Sequence, residues 1–182
     1  MVSERYCVAS FGTVAQIFKT TDKKGKILQN IEGIKKDFSS NISMVALNQE
    51  YMSVLADGRC NFIKLDTDSV EKIFPLKDTE DQIYYVAMTE DFLAYSDSNN
   101  RVKIYSIKSN CANISDYKFD NPIRKIFPNK TGTKYVCIDN LGKGFLYNPI
   151  NELVIPMDNE IELNNIIWDQ EDNNLFVGVN KG

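Results

Sequence analysis

The side chains in this chain that could do chemistry are carboxylates, lysines and four scattered thiols. Among its 182 residues there is no histidine. That removes the commonest general base near neutral pH, the Ser-His-Asp triad and most zinc sites. Acid pairs stand out at Glu80-Asp81, Glu90-Asp91 and Glu171-Asp172. Two carboxylates divide the roles of acid and base only where burial raises one pKa above the other. These pairs lie in polar stretches that read as turns, where solvated acids are expected. Asp66-Thr67-Asp68 is too short for a calcium loop of the Asp-x-Asp-x-Asp-Gly type. The glycines form neither phosphate-binding pattern, and a hairpin turn accounts for Gly142-Lys143-Gly144. The sequence therefore offers no catalytic, cofactor-binding or metal-ligating residue to name, and the reading is that the protein is not an enzyme.

The thiols are Cys7, Cys60, Cys111 and Cys137, far apart and without a CxxC pair. Cys7, Cys60 and Cys137 fall inside apolar strand patterns and read as reduced, buried thiols, whereas Cys111 reads as a loop residue. The net charge of −4 disfavours a nucleic-acid partner, because a broadly acidic surface repels phosphate. Two short basic runs, Lys23-Lys24-Gly25-Lys26 and Lys35-Lys36, sit beside Gly or Asp and read as solvated loop charge. No apolar run approaches the ~20 residues of a transmembrane helix. The first six residues lack the layout of a signal peptide, which points away from secretion. In a reducing compartment the glycosylation-type triplets at Asn41, Asn113 and Asn129 carry no meaning.

The elements that must position these residues are strands. Apolar and β-branched residues come in runs of four to six, separated by clusters of Asn, Asp, Gly, Ser and Lys. The runs recur as a unit of strand, polar turn, strand, tight turn, strand. Its members are Met44–Leu47, Tyr51–Ala56 and Cys60–Leu65; Val86–Met88, Phe92–Ser96 and Val102–Ile107; Arg124–Pro128, Lys134–Asp139 and Gly144–Asn148; and Ile166–Asp169 with Leu175–Val179. A partial unit, Tyr6–Ser10 and Val14–Phe18, precedes them. The second turn falls near Gly12, Gly58, Asn100, Leu141 and Gly182, in steps of 46, 42, 41 and 41 residues. Asp57-Gly58 and Asn99-Asn100 supply the positive φ that hairpin turns require. Weaker outer strands are expected at Val70–Pro75, Ile114–Phe119 and Leu153–Pro156, with Pro75 and Pro156 at edge positions.

A repeat of ~40–45 residues built from four short strands is the period of a β-propeller. Each twisted sheet is apolar on both faces and buries them only against neighbouring sheets. The reading is an all-β, WD-repeat-type β-propeller of about four blade-lengths of four-stranded antiparallel sheet. Residues 1–182 belong to one propeller, with blade boundaries near 30, 75, 118 and 158. The chain enters near a third-strand run and stops just after another, so it is expected to be part of a longer protein. A small propeller closed by its own terminal strands is the alternative. The single tryptophan, Trp168, is read as a blade-packing residue, with peptide contact as the alternative. Tyr84-Tyr85 and Tyr51 are expected to alternate between core and surface.

Beyond the period, the order of motifs is distinctive from Thr89 onward. It runs Thr89–Tyr95, Asp116-Tyr117, Asn121-Pro122-Ile123-Arg124-Lys125-Ile126-Phe127-Pro128, Gly132-Thr133, Ile138-Asp139, Gly144-Phe145-Leu146-Tyr147-Asn148-Pro149, Ile155-Pro156 and Ile167-Trp168. This stretch resembles the second propeller of the intraflagellar transport protein 144 family, also called WD-repeat protein 19, over Thr89–Val179. Residues 1–88 match only through the general repeat. Asn121-Pro122 stands where the family carries His-Pro. The resemblance implies a non-catalytic scaffold subunit of intraflagellar transport complex A. Its partners would be the other complex A subunits and adaptors for membrane-protein cargo. It would serve retrograde transport and the passage of membrane proteins into the cilium, at the cilium and its base and in the cytoplasm, associated with the cytoskeleton. A WD-repeat adaptor in another assembly, such as a vesicle coat, is the competing reading, and a propeller hydrolase is a third.

Overall fold

Short apolar runs broken by Asn, Asp and Gly can only fold as strands joined by tight turns. In the computed structural model, which describes residues 2–21, 24, 26–27, 33–76, 81–157 and 162–180, every regular element is a β-strand. Two compact units divide the chain, Met1–Gln82 and Ile83–Gly182. The first unit holds a three-stranded meander of β1 (Tyr6–Phe11), β2 (Val14–Lys19) and β3 (Gly33–Asp37). It also holds a four-stranded meander of β4 (Ile42–Leu47), β5 (Tyr51–Ala56), β6 (Arg59–Lys64) and β7 (Ser69–Phe74). The second unit holds β8 (Ile83–Met88), β9 (Phe92–Asp97), β10 (Arg101–Ser106) and β11 (Ala112–Lys118) in one sheet. A further sheet holds β12 (Ile123–Pro128), β13 (Tyr135–Asp139), β14 (Gly144–Asn148) and β15 (Leu153–Pro156), and β16 (Leu163–Trp168) pairs with β17 (Phe176–Asn180). All pairings are antiparallel between strands consecutive in sequence.

Alternation along the strands explains why the sheets stack. On β13, Tyr135 and Cys137 join a core with Ala87, Ala94, Val102 and Ile104 of the preceding sheet. The intervening Val136 and Ile138 join a different core with Ile166 and Trp168 of the following hairpin. One sheet thus buries both faces, each large side chain adding about 1.5–3 kcal/mol. In the first unit, Tyr6, Val8, Ala15 and Ile17 pack on Met52, Val54, Ile63 and Leu65, again at every second residue. Meanders packed face to face in this way are blades of a WD-type β-propeller.

Each first-to-second strand turn carries its own polar cap. Asn48 Oδ1 accepts from the N–H groups of Glu50 and Tyr51, Thr89 Oγ1 from that of Phe92, Asn129 Oδ1 from those of Thr133 and Lys134, and Asp169 Oδ1 from those of Glu171 and Asp172. These caps recur in steps of 41, 40 and 40 residues.

Several expectations need correction. A strand, β3, runs through Lys35-Lys36, so this basic pair is edge-strand charge and not loop charge. Lysines on an edge discourage stray pairing. The run at 23–26 lies partly outside the described residues, as do the boundary near 30 and the turn at Gly182. The first sheet ends with β3 at Asp37 and the second begins with β4 at Ile42. β1 meets β2 at Gly12 as β5 meets β6 at Asp57-Gly58, so β1 takes a second-strand place in its sheet, not a third. Cys111 lies in a turn as expected but is buried, whereas Cys7 is half-buried.

Candidate interaction surface

The first strand of each later sheet begins with an irregularity that the sequence reading missed. In β4 the register jumps between Ile42 and Met44, in β8 between Ile83 and Tyr85, in β12 between Ile123 and Lys125, and in β16 between Leu163 and Asn165. One residue is left over at each jump: Ser43, Tyr84, Arg124 and Asn164. Such bulges bend the strand and re-aim a side chain. They also break the alternation expected at Tyr84-Tyr85, and both rings are half-buried. A signal for them is present in the sequence. Apolar residues recur at a spacing of three, not two, at Ile42/Val45, Ile83/Val86, Ile123/Ile126 and Leu163/Ile166.

In the second unit the bulge residues touch from sheet to sheet. The Arg124 guanidinium lies over the Tyr84 ring, 4.3 Å from its centre. Lys125 Nζ donates to the carbonyl and side-chain oxygens of Asn164 at 2.6 and 2.7 Å. Arg124 and Lys125 line a groove of about 400 Å³ together with Glu162, Leu163 and Asn164. The second turn of the sheet, Asn140-Leu141-Gly142, lines it as well.

That turn is built by a buried carboxylate. Asp139 Oδ1 accepts from the Leu141 and Lys143 N–H groups at 2.9 Å each, and Gly142 closes the loop at a φ of 80°. Oδ2 accepts from Asn121 Nδ2 at 3.0 Å. Asp97 builds the turn of the preceding sheet in the same way, accepting from Asn99 and Arg101, with Lys103 at 3.0 Å from its other oxygen. Burial alone would lower the Lys103 pKa, but its bond to Asp97 and that acid's charge raise it. Of the pair Asn99-Asn100, Asn100 alone has positive φ, because this turn has three residues. At Asp57-Gly58 both residues have positive φ, the turn has two residues, and Ala56 replaces the acid.

The remaining singled-out residues have local duties. Asp91 pairs with Lys108 at 2.6 Å, and Glu90 and Glu171 are exposed in turns. Of Glu80-Asp81, Glu80 lies outside the described residues. Gly144, the second glycine of Gly142-Lys143-Gly144, lets Leu163 and Met157 approach where a Cβ would collide. Trp168 is buried, donates through Nε1 to the Phe127 carbonyl at 2.9 Å and packs on Phe176. It is a packing residue. The Asp66-Thr67-Asp68 stretch clasps one sheet to another within the first unit. Asp66 lies within 3.5 Å of Arg5 and 3.3 Å of Lys19 and accepts from the Tyr6 hydroxyl, while Asp68 takes Lys36 at 2.8 Å. The Tyr6 bond, ahead of the lysine and arginine charges, holds the Asp66 carboxyl below its ordinary range. Burial and the same acid push Tyr6 up to about 12. Among the described residues no helix is long and apolar enough to cross a membrane.

Comparison with known proteins bears on the same sheets. A family model described as WDR19 second beta-propeller matches residues 6–181. WD repeat-containing protein 19 of Homo sapiens is 24% identical over 141 residues, covering 73% of this chain. WD repeat-containing protein dyf-2 of Caenorhabditis elegans is 29% identical over 120 residues, covering 65%. The chain spans about a tenth of the length of these relatives.

Proposed function

Because the chain belongs to the WDR19 second beta-propeller family, we propose that it forms part of a non-catalytic scaffold subunit of intraflagellar transport complex A. The observation that carries this reading is the family match, which runs through all five sheets, from β1 to β17. The motifs behind the resemblance have structural duties that suit such a role. Gly144 admits Leu163 and Met157, Tyr147 is buried beneath Tyr117 and Phe119, and Asp139 closes a turn. The carboxylates at Asp97, Asp139 and Asp169 are engaged in turn-building bonds, which agrees with a protein that binds and does not turn over substrates. In this reading its partners are the other complex A subunits and adaptors for membrane-protein cargo. It acts at the cilium and its base in retrograde transport and in the passage of membrane proteins into the cilium.

The test is affinity purification of the full-length protein, tagged at its own locus in ciliated cells, followed by mass spectrometry. Complex A subunits are expected in stoichiometric yield. Recovery of vesicle-coat subunits in their absence would overturn the proposal.

A further inference from the structure

The groove beside the bulge row has the chemistry of a carboxylate receptor. We propose that it seats the acidic side chain of a peptide segment on a protein partner, with Arg124 as the principal contact. This deepens the scaffold reading and rests on it.

Arg124 is exposed, and its planar guanidinium lies over the Tyr84 ring. A guanidinium held against a ring face keeps N–H groups to grip a carboxylate in a fork. No carboxylate of the described residues lies within ion-pair distance of it. Lys125 stands beside it, tied to Asn164 by two neutral acceptors, so its charge is oriented but not cancelled. Of the two acids among the described lining residues, Asp139 is consumed by its own turn and Asn121. Glu162, exposed in the lining, is the one rival among the described lining residues. In a chain of net charge −4, two cations facing one groove with no acid bound to either among the described residues call for an anionic complement. Leu141, 67% exposed in the lining, adds an apolar contact. The complement is thus an acidic residue beside an aliphatic one. Tyr84, Arg124 and Asn164 each sit at the second residue of a strand, not in a free loop.

The experiment uses the full-length protein and two fluorescein-labelled peptides, one alternating Glu and Leu and the other alternating Gln and Leu. Fluorescence anisotropy is expected to show at least about tenfold tighter binding of the Glu peptide, weakening with salt. Arg124→Gln should abolish that preference and Arg124→Lys should restore part of it. Glu162→Gln should tighten binding a few fold by removing the rival. Trp168 emission and the urea midpoint, unchanged in these variants, show that they are folded. Equal binding of the two peptides, or a preference that survives Arg124→Gln, overturns the proposal. So does displacement of the Glu peptide by inorganic phosphate at equal concentration, which would make this a phosphate site. The scaffold reading is judged by which subunits co-purify, so failure of the groove proposal is told apart from failure of that reading.

Discussion

Removing the Asp139 carboxylate should loosen the second unit measurably. The side chain is 2% exposed and accepts three hydrogen bonds, two from backbone N–H groups and one from Asn121. Bonds to a charged acceptor contribute about 1.5–3 kcal/mol each. In Asp139→Ala the exposed Leu141 end of the turn recovers water, so roughly half of that sum is lost, about 3 kcal/mol. Asp139→Asn keeps one acceptor but turns an amide N–H toward that of Asn121, and should lose about 1–2 kcal/mol. Trp168 reports the change directly, because it is the single tryptophan and packs on Val136 and Ile138 of the strand that Asp139 ends. With a urea slope of about 2 kcal/mol/M, the alanine variant should unfold about 1.5 M earlier by Trp168 emission. A shift below about 0.3 M would refute the view that this carboxylate holds the turn.

Three further outcomes follow from the same geometry. Gly132→Ala places a Cβ 2.4 Å from Phe92 at a φ of 68°, so strain and overlap together should lower stability by about 2–4 kcal/mol in the same urea assay. Asp66 is held below its ordinary pKa of 3.8, so the stability it adds is present above that pH and lost as pH falls beneath it; Tyr6, raised from 10.0 to about 12, adds stability that is full below pH 10 and fades between there and 12. Hydrogen exchange at β1 and β2 amides should therefore accelerate at both extremes, and Asp66→Asn should flatten the acid limb. Cys7 is half-buried while Cys60, Cys111 and Cys137 are buried, and burial pushes the Cys137 thiol up, so a thiol reagent should label Cys7 first and Cys137 last, as read by peptide mass.

Turn chemistry and strand alternation were legible in the sequence because both are local. Asp57-Gly58 closes a turn wherever it occurs, and Tyr51–Ala56, Gly144–Asn148 and Leu153–Pro156 coincide with β5, β14 and β15. First strands read short for a physical reason. The bulges at Ser43, Tyr84, Arg124 and Asn164 shift the apolar spacing from two to three, so Ile42, Ile83, Ile123 and Leu163 look detached from the strands they begin. β3 escaped notice because an edge strand carrying Lys35 and Lys36 has no alternating apolar face to show. The clasp from Asp66 to Arg5, Tyr6 and Lys19 depends on how one sheet lies against the next, which no single strand encodes. The groove hides for both reasons together. Its cation sits at a bulge that disguises the strand start, and its aromatic support comes from forty residues earlier, at the same bulge of the neighbouring sheet. A periodic fold turns equal sequence spacing into physical contact, so once one bulge is placed, residues about forty apart become testable neighbours.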